Sequence, residues 1–225
     1  MRTALIAGAS GLVGGFLLKQ LLDAPDYDRV VAVGRRPLKI SHPKLVSVTA
    51  KFTELDKVTE DLSCAAAFCC LGTTIKQAGT PEEFRAIDRG AVLAFAWVAR
   101  RNGAQSFFTV SSMGSNAHSR FFYNRVKGET EEALAVLAFP TLGIFRPSLL
   151  LGPRAEKRIG ERIGATVMGW IEPVMVGRWR KYRAIQAEVV ARAMLRCSFG
   201  ATGQGVLVFP SDEIQDLGAG GWSRT

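Results

Sequence analysis

Residues 1–15, MRTALIAGASGLVGG, carry the strongest indication of the fold in this sequence. Thr3–Ala7 is an apolar run of strand length, and the apolar residues after position 12 recur at helical spacing. Three glycines, Gly8, Gly11 and Gly14, lie between the strand pattern and the body of the helix pattern. A strand that passes through such glycines into a helix is typical of a site for the pyrophosphate of a dinucleotide.

Each glycine has a separate predicted role in that site. Gly8 permits the tight turn off the strand, Gly11 lets the backbone approach a pyrophosphate, and Gly14 lets the helix pack close to the strand. The helix N-terminus adds unpaired N–H groups and the positive end of the helix dipole, and both favour an anion. The residues predicted to hold the cofactor phosphates are Gly8, Ala9, Ser10, Gly11, Leu12, Val13 and Gly14.

The alternation of strand and helix continues along the chain. It predicts an α/β fold with a doubly wound, mainly parallel Rossmann sheet of about seven strands and a small helical C-terminal excursion. We expect residues 1–225 to form a single NAD(P)-binding domain. The predicted strands are Thr3–Ala7, Arg29–Val33, Leu45–Val48, Ala65–Cys70, Ser106–Val110, Thr141–Phe145 and Gly205–Phe209. The predicted helices are Leu12–Leu22, Pro81–Asn102, Phe122–Leu137, Gln186–Cys197 and Ser211–Leu217.

The longest predicted helix, Pro81–Asn102, has signals at both ends. Thr80 is suited to cap its N-terminus, Pro81 is favoured in a first helical turn, and Gly103 ends it. Its apolar residues recur at spacings that place them on one face of a continuous helix. They are Phe84, Ile87, Ala91, Phe95 and Val98.

Composition and charge exclude several classes of protein. With 225 residues, 48% of them hydrophobic, the chain can bury a sizeable core. No apolar run reaches the ~18–20 residues of a membrane helix, so no integral membrane span is predicted. The N-terminus goes straight into a strand, and we expect no signal peptide and a cytoplasmic location. The net charge of +9 favours an anionic partner, and a dinucleotide meets that description.

Cysteine and histidine are too few and too poorly spaced to predict a metal site. Cys64, Cys69, Cys70 and Cys197 fit no zinc-binding spacing, and three of them lie in or beside a predicted buried strand. We therefore predict reduced, buried thiols and no bound metal. Motifs of nucleic-acid-binding folds are not found either, so no nucleic-acid partner is predicted.

Two arginines follow the second predicted strand, where a dinucleotide fold meets the adenosine ribose. An acidic residue there binds the 2′-hydroxyl of NAD(H), whereas an arginine accommodates the 2′-phosphate of NADP(H). Arg35 and Arg36 stand in place of the acid, and a guanidinium binds phosphate through paired charge-assisted hydrogen bonds. This pattern favours NADP(H) over NAD(H). The alternative is a solvated basic turn.

Further candidate cofactor contacts follow the fourth, fifth and sixth predicted strands. Ligands of a parallel sheet bind at the carboxyl ends of its strands, so these loops lie at the expected edge. Gly72 would let the backbone come close to the cofactor. The candidates at these strand ends are Leu71, Gly72, Thr73, Ser111, Pro147 and Ser148.

Ser112, Tyr123 and Lys127 form a candidate catalytic set. Tyr123 and Lys127 are four residues apart, which places both side chains on one face of a helix, about one turn apart. A phenol releases its proton poorly at neutral pH, but a nearby ammonium stabilises the phenolate. Tyr123 can then exchange a proton with a carbonyl or alcohol oxygen, to which the serine would also hydrogen-bond. The alternative is an exposed helix face.

These motifs together resemble the atypical and extended branches of the short-chain dehydrogenase/reductase superfamily. The residues that carry the resemblance are Gly8–Gly14 with GxxGxxG spacing, Ser111-Ser112, Tyr123, Lys127 and Arg146-Pro147-Ser148. Further stretches make the chain most similar to the Tat-interacting oxidoreductase proteins and their bacterial relatives, over nearly its whole length. These stretches are Cys70–Thr74, Ser111–Gly114, Lys127–Glu129 and Asp212–Gly218.

The resemblance implies a Rossmann fold with a defined set of site residues. It places NADP(H) along the glycine turn and Arg35, and it favours Ser112 over Ser111 because the second serine of the pair is the usual match. Lys127 and Tyr123 would contact the nicotinamide half, Lys127 by holding its ribose. Pro147-Ser148 would line the nicotinamide end.

Two positions depart from the pattern of these relatives. Ala50-Lys51-Phe52 stands where many relatives carry an Asp near the adenine. The helix after the fourth strand offers Asp88, but no Asn of the kind that completes a proton relay in many active members.

Two functional hypotheses follow. The first is an NADP(H)-dependent oxidoreductase that transfers hydride to or from a carbonyl or alcohol carbon of a small-molecule substrate. An epimerase or dehydratase would use the same hydride chemistry. The second is an NADPH-binding redox sensor that does not turn over. A monomer or a homodimer is expected.

Residues 152–185 are predicted to leave the main sheet as a variable segment that faces a substrate or partner. Between positions 154 and 183, eight basic residues stand against three acidic ones, and Trp170 and Trp179 lie among them. Such a segment would cover an anionic substrate, dock an acidic partner or lipid headgroups, or form a solvated basic surface.

Overall fold

β1 (Thr3–Ala7) is an inner strand of the sheet, and all five of its residues are buried. It pairs in parallel with β2 (Arg29–Gly34) on one side and with β4 (Ala66–Cys69) on the other. The other strands of this sheet are β3 (Leu45–Thr49), β5 (Ser106–Val110), β6 (Thr141–Arg146) and β9 (Gly205–Pro210). The order β3-β2-β1-β4-β5-β6-β9, parallel throughout, confirms the predicted Rossmann sheet.

The computed structural model describes residues 1–55, 62–152, 177–200 and 203–220. Most of the predicted variable segment, residues 153–176, lies outside these ranges. At its two flanks β7 (Leu150–Leu151) and β8 (Ile185–Gln186) form a second, parallel pair, which was not predicted from the sequence. Strands of two residues are too short to show a periodic pattern.

Helices cover both faces of the seven-stranded sheet. Successive residues of β1 alternate between the faces, so Ala4 and Ile6 join one hydrophobic layer and Leu5 and Ala7 the other. The first layer includes α1 (Leu12–Asp23), α6 (Ala187–Cys197) and α7 (Ser211–Ala219). The second includes α4 (Val92–Arg101) and the end of α5 (Phe122–Val136). A short helix, α2, spans Ile75–Ala78, and α3 spans Pro81–Arg85.

The bounds of most elements agree with the prediction. Predicted strands differ from the observed ones by at most one residue at either end, and most predicted helices by one or two. Local signals explain this agreement, because the Gly and Pro residues that end these elements act on their immediate neighbours.

The predicted continuous helix Pro81–Asn102 was wrong in one respect. A π-helical turn, Ala86–Ala91, separates α3 from α4, while the Thr80 hydroxyl caps the N-terminus of α3 as predicted. A π turn takes more residues than an α turn, so it rotates the side chains that follow it around the helix axis. Ile87, predicted on the buried face, is therefore half-buried, and Asp88 is buried in its place with 1% exposure.

The four cysteines are free thiols, as predicted. Cys64, Cys69 and Cys197 are buried, and Cys70 is half-buried. Burial raises the pKa of Cys64 and of Cys69 to about 11, so both thiols stay protonated at neutral pH. Within the described ranges, no helix has the length and apolar character needed to cross a membrane.

Candidate functional site

The glycine turn between β1 and α1 has no room for side chains at two of its positions. Gly8 has a φ of +81°, and a Cβ placed on it would lie 2.5 Å from the carbonyl oxygen of Cys70. A Cβ on Gly14 would lie 2.0 Å from the carbonyl oxygen of Gly8. These two glycines therefore allow α1 to begin directly against the turn, as predicted.

The first turn of α1 presents backbone N–H groups at the carboxyl end of β1. Gly11 is the N-cap, and it donates its own N–H to the carbonyl oxygen of Gly8 at 2.9 Å. The N–H groups of the first turn have no carbonyl partner within the helix, and they belong to Leu12, Val13 and Gly14. Of the two remaining predicted contacts, Ala9 is buried and Ser10 is exposed. Open N–H groups at a helix N-terminus fit a diphosphate.

Arg35 and Arg36 lie just beyond the carboxyl end of β2, and both are exposed. Neither forms an ion pair with any residue that the structure describes. The N–H of Ala50 donates to the carbonyl oxygen of Gly34 at 3.0 Å. The segment Ala50-Lys51-Phe52 therefore begins next to the two arginines. β2 and β5 are on opposite sides of β1, and the arginines are therefore separated from Ser112 across the sheet.

The loop after β4 is held by Asp88. The N–H of Thr73 donates to Asp88 Oδ2 at 2.8 Å, so this N–H already has a partner within the chain. A Cβ on Gly72 would lie 3.5 Å from Asp88 Oδ1 and 3.6 Å from Lys127 Nζ. The predicted cofactor loop, Leu71–Thr73, is thus in direct contact with the Asp88 and Lys127 side chains.

Lys127 and Asp88 form a buried ion pair. Their Nζ and Oδ1 atoms are 2.7 Å apart, and Lys127 is 6% exposed. Burial by itself lowers the pKa of Lys127, but the charges of Asp88 and Tyr123 more than offset it and raise that pKa above its ordinary value of 10.5. Lys127 therefore stays charged at neutral pH. Because Asp88 compensates the charge, the field of Lys127 at Tyr123 is weaker than that of an unpaired lysine.

Tyr123 lies one turn before Lys127 on α5, as predicted from their spacing. It is half-buried, and its ring centroid is 5.4 Å from that of Phe84 on α3. Phe84 is fully buried, so this contact fixes one side of the tyrosine ring against the helix that precedes Asp88.

α5 packs directly on the loop that follows β5. A Cβ on Gly128 would lie 2.1 Å from the backbone nitrogen of Ala117, so only glycine allows this approach. The N–H of Asn116 also donates to the carbonyl oxygen of Asn124 at 3.0 Å. The close approach brings the loop that contains Ser112 onto the helix that carries Tyr123.

Ser111 and Ser112 differ in the partners of their hydroxyl groups. Ser111 is buried, and its hydroxyl donates to the carboxylate of Glu131. Ser112 is half-buried, and its Oγ lies 3.1 Å from Ser115 Oγ. The hydroxyl of Ser112 is therefore the more available of the two for a ligand, and the Ser111 hydroxyl has a structural partner.

The end of β6 is tied to its neighbours through Arg146, Pro147 and Ser148. Arg146 donates to both carboxylate oxygens of Glu131, from Nε at 3.1 Å and from Nη2. Met113 donates its N–H to the carbonyl oxygen of Pro147 at 3.0 Å. The Ser148 hydroxyl donates to the carbonyl oxygen of Arg183 and accepts from the Ser211 hydroxyl at 3.0 Å. The Ser148 hydroxyl is thus also occupied within the chain.

Half of the predicted residues lie at the carboxyl ends of β1 and β2, and the other half lie in the loops after β4, β5 and β6 or on α5. Ser111, Lys127, Asp88 and Glu131 line one small cavity there. Glu131 and Ser115 were not predicted as site residues. Glu131 could have been found, because it lies four residues after Lys127 and hence on the same side of α5. No sequence pattern singles out Ser115.

Residues 8–136 match the model of a protein family described as NAD(P)H-binding. The chain is 34% identical over 198 residues to Protein HTATIP2 of Rattus norvegicus, covering 86% of this chain and 80% of that protein. It is 37% identical over 161 residues to Protein FMP52-1, mitochondrial, of Scheffersomyces stipitis, covering 69% of this chain and 70% of that protein.

Among solved structures, WbmH of Bordetella bronchiseptica in complex with NAD+ is similar to the chain with a TM-score of 0.70. The match covers 94% of this chain and 76% of that one at 17% identity, a level at which it shows the fold alone.

Proposed function

The chain belongs to the NAD(P)H-binding family of Rossmann proteins, and on that premise we propose that it is a short-chain-dehydrogenase-like, NADP(H)-dependent oxidoreductase. The reaction is hydride transfer to or from the carbonyl or alcohol carbon of a small molecule. The observation that carries the proposal is the close approach of α5 to the loop after β4. Lys127 Nζ, on α5, lies 3.6 Å from the position that a Cβ on Gly72 would occupy. The helix that carries Tyr123 therefore meets the loop that is predicted to bind the cofactor.

The residues of the glycine turn fit the cofactor. Open N–H groups at the start of α1 would bind its diphosphate, and Arg35 and Arg36 would bind the 2′-phosphate of NADP(H). The loops after β4, β5 and β6 would hold the nicotinamide half, with Lys127 toward its ribose. When bound, the nicotinamide supplies or accepts the hydride.

Ser112 and Tyr123 act on the substrate oxygen. The Ser112 hydroxyl donates a hydrogen bond to that oxygen, and Tyr123 gives it a proton in reduction or takes one in oxidation. Lys127 stays protonated and adds positive charge near the phenol, reduced in strength by its pairing with Asp88. A cytoplasmic location and a monomer or homodimer stay predictions.

The Tyr123→Phe variant tests this assignment. We expect it to bind NADPH like the wild type, because the ring remains, and to lose carbonyl reduction, because the exchangeable proton is gone. NADPH consumption is followed by absorbance with a panel of carbonyls, 9,10-phenanthrenequinone among them, and NADPH affinity by calorimetry. Tyr27→Phe is the matched control, since Tyr27 packs against Phe68 and Phe199 away from the site. Unchanged turnover in Tyr123→Phe would remove Tyr123 from the mechanism.

An NADPH-binding sensor without turnover is the second candidate function. The buried Asp88–Lys127 pair favours it, because a lysine whose charge is compensated by a carboxylate stabilises a neighbouring phenolate less than an unpaired lysine does. Tight NADPH binding by the wild type with no NADPH consumption across the panel would support the sensor and overturn the oxidoreductase.

A further inference from the structure

We propose that Phe84 is a positioning residue for Tyr123, because its buried ring holds the phenol at a fixed place relative to Lys127. The effect of Phe84 on turnover rests on the proposed oxidoreductase function. The contact between the two rings does not, and it can be measured in a protein that does not turn over.

Packing, rather than a hydrogen bond, orients the Tyr123 ring. No residue that the structure describes forms a hydrogen bond with the Tyr123 hydroxyl, so this group is open to a substrate oxygen. The Phe84 ring lies beside the Tyr123 ring, with centroids 5.4 Å apart and an angle of 46° between the ring planes. This separation is within the range of favourable aromatic pairs, so the contact stabilises one orientation of the phenol.

Phe84 is a rigid support for that ring. Its side chain is fully buried, and its ring centroid also lies 5.7 Å from that of Phe122, the residue before Tyr123. The start of α3 is fixed as well, because the Thr80 hydroxyl accepts from the N–H of Glu83 at 3.1 Å. A side chain packed on all sides has no other place to occupy, so Phe84 transmits the position of α3 to the phenol.

The segment that carries Phe84 also holds Lys127. Asp88 lies four residues after Phe84, and it pairs at 2.7 Å with Lys127, which lies four residues after Tyr123. The segment therefore contacts α5 at both residues of the candidate catalytic set. A single contact would leave α5 free to pivot about it, whereas two contacts fix the distance between the ammonium and the phenol. That distance determines how strongly the ammonium stabilises a phenolate.

Loss of the Phe84 ring would release the phenol. In Phe84→Leu the side chain stays apolar, but the ring contact is lost and space opens beside Tyr123. The phenol can then turn into this space and away from the substrate oxygen. Misplacement of a reacting group lowers turnover by roughly 10- to 100-fold. NADPH affinity should stay the same, because the glycine turn and the Asp88–Lys127 pair are unchanged.

The test is an NMR measurement on the tyrosine rings that does not depend on activity. The chain contains three tyrosines, so ring-labelled tyrosine gives three sets of signals, and Tyr123→Phe identifies one of them. In Phe84→Leu we expect the Tyr123 signals to move, because the ring current of Phe84 is lost, and those of Tyr27 and Tyr182 to stay. Phe95→Leu is the matched control.

Phe95 suits this purpose because it is also fully buried but contacts Phe107, with ring centroids 5.9 Å apart. Its replacement by leucine should leave the Tyr123 signals in place. Tyr123 signals that stay unchanged in Phe84→Leu would overturn the proposal. Should Phe84→Leu fail to fold, the wild type decides: a nuclear Overhauser effect between the ring protons of Phe84 and Tyr123 is expected, and its absence would overturn the proposal.

Kinetics test the consequence for turnover. In an active wild type, Phe84→Leu should lower kcat for 9,10-phenanthrenequinone with NADPH affinity unchanged, and Phe95→Leu should leave both unchanged. Equal kcat values in the two variants, or a parallel loss of NADPH affinity in Phe84→Leu, would contradict a role in positioning Tyr123. Absence of turnover in the wild type would instead contradict the oxidoreductase assignment, and the NMR comparison would still decide whether Phe84 holds the Tyr123 ring.

Discussion

The two ends of the candidate cofactor site are built from different parts of the chain. At the β1–α1 end the site is backbone: a glycine turn into which no Cβ fits at Gly8 or Gly14, followed by the N–H groups of a helix. At the ends of β4, β5 and β6 it is made of side chains, and three of its charged groups are buried: Asp88 is paired to Lys127, and Glu131 is paired to the half-buried Arg146.

The two ends are therefore sensitive to different kinds of substitution. A site made of backbone fails when atoms are added, because close-packed backbone cannot move aside. A site made of buried charges fails when one charge is removed, because the remaining charge is left in a poorly solvating interior. We therefore expect added side-chain volume to disrupt the backbone end, and removal of a charge to disrupt the side-chain end.

The largest effect is expected for Asp88→Ala at the side-chain end. This variant leaves the buried Lys127 ammonium and the Thr73 N–H without their partner, and the loss of one member of a buried pair costs about 3–5 kcal/mol of unfolding free energy. Urea unfolding measures it. Glu129→Ala is the matched control, since its ion pair with Arg85 at 2.6 Å is partly exposed and such pairs contribute at most about 1 kcal/mol.

The comparison is made near neutral pH. The raised pKa of Lys127 means that the stability contributed by this ionisation is fully present below 10.5 and is lost as the pH rises through the raised value. Replacing both partners, as in Asp88→Leu with Lys127→Met, should recover much of the loss, because no buried charge remains. Equal losses of unfolding free energy in Asp88→Ala and Glu129→Ala would contradict the expected difference between buried and exposed ion pairs.

A smaller loss of stability is expected for Gly14→Ala at the backbone end. The new Cβ would lie 2.0 Å from the Gly8 carbonyl oxygen, and such overpacking costs about 1–3 kcal/mol. The shift of α1 that relieves the clash should also abolish NADPH binding in calorimetry. Gly15→Ala adds the same methyl group one residue later, 3.7 Å from the Ala9 carbonyl oxygen. This variant should bind NADPH like the wild type. Its free energy of unfolding should rise by up to about 1 kcal/mol, because alanine has a higher helix propensity than glycine.

The smallest effect on stability is expected for Arg35→Ala, which removes an exposed charge and leaves the fold unchanged. Its expected effect is on the choice of cofactor. Charge-assisted bonds to a 2′-phosphate contribute about 1.5–3 kcal/mol, so the wild type should bind NADPH ~10–100-fold more tightly than NADH. Arg35→Ala should remove most of that preference while NADH affinity stays nearly the same. Calorimetry with both cofactors measures it.

Arg101→Ala removes the same charge from the end of α4 and controls for net charge. The preference for NADPH should also decrease with added salt, because the contact is exposed. Equal affinities of the wild type for both cofactors would show that Arg35 and Arg36 form a solvated turn.

The sequence alone determined the order of the elements, the parallel Rossmann sheet and the glycine turn. These features rest on local chemistry: apolar runs of strand length, helical periodicity, and glycines that permit a tight turn and the close packing of a helix on a strand. The shared helix face of Tyr123 and Lys127 also follows from spacing on one helix. Each of these features depends on residues that are close together in the chain.

The pairing of the charged and polar side chains, in contrast, depends on how distant segments pack in the folded chain. Ser111 and Glu131 are 20 residues apart, and a π turn that breaks the predicted helix brings Asp88 to Lys127. Whether a serine hydroxyl is free or occupied depends on what folding places beside it, and no spacing rule contains that information. The availability of Ser112, the partner of Lys127 and the position of Glu131 are thus properties of packing between distant segments, because burial forces each polar group to find a partner wherever the fold supplies one.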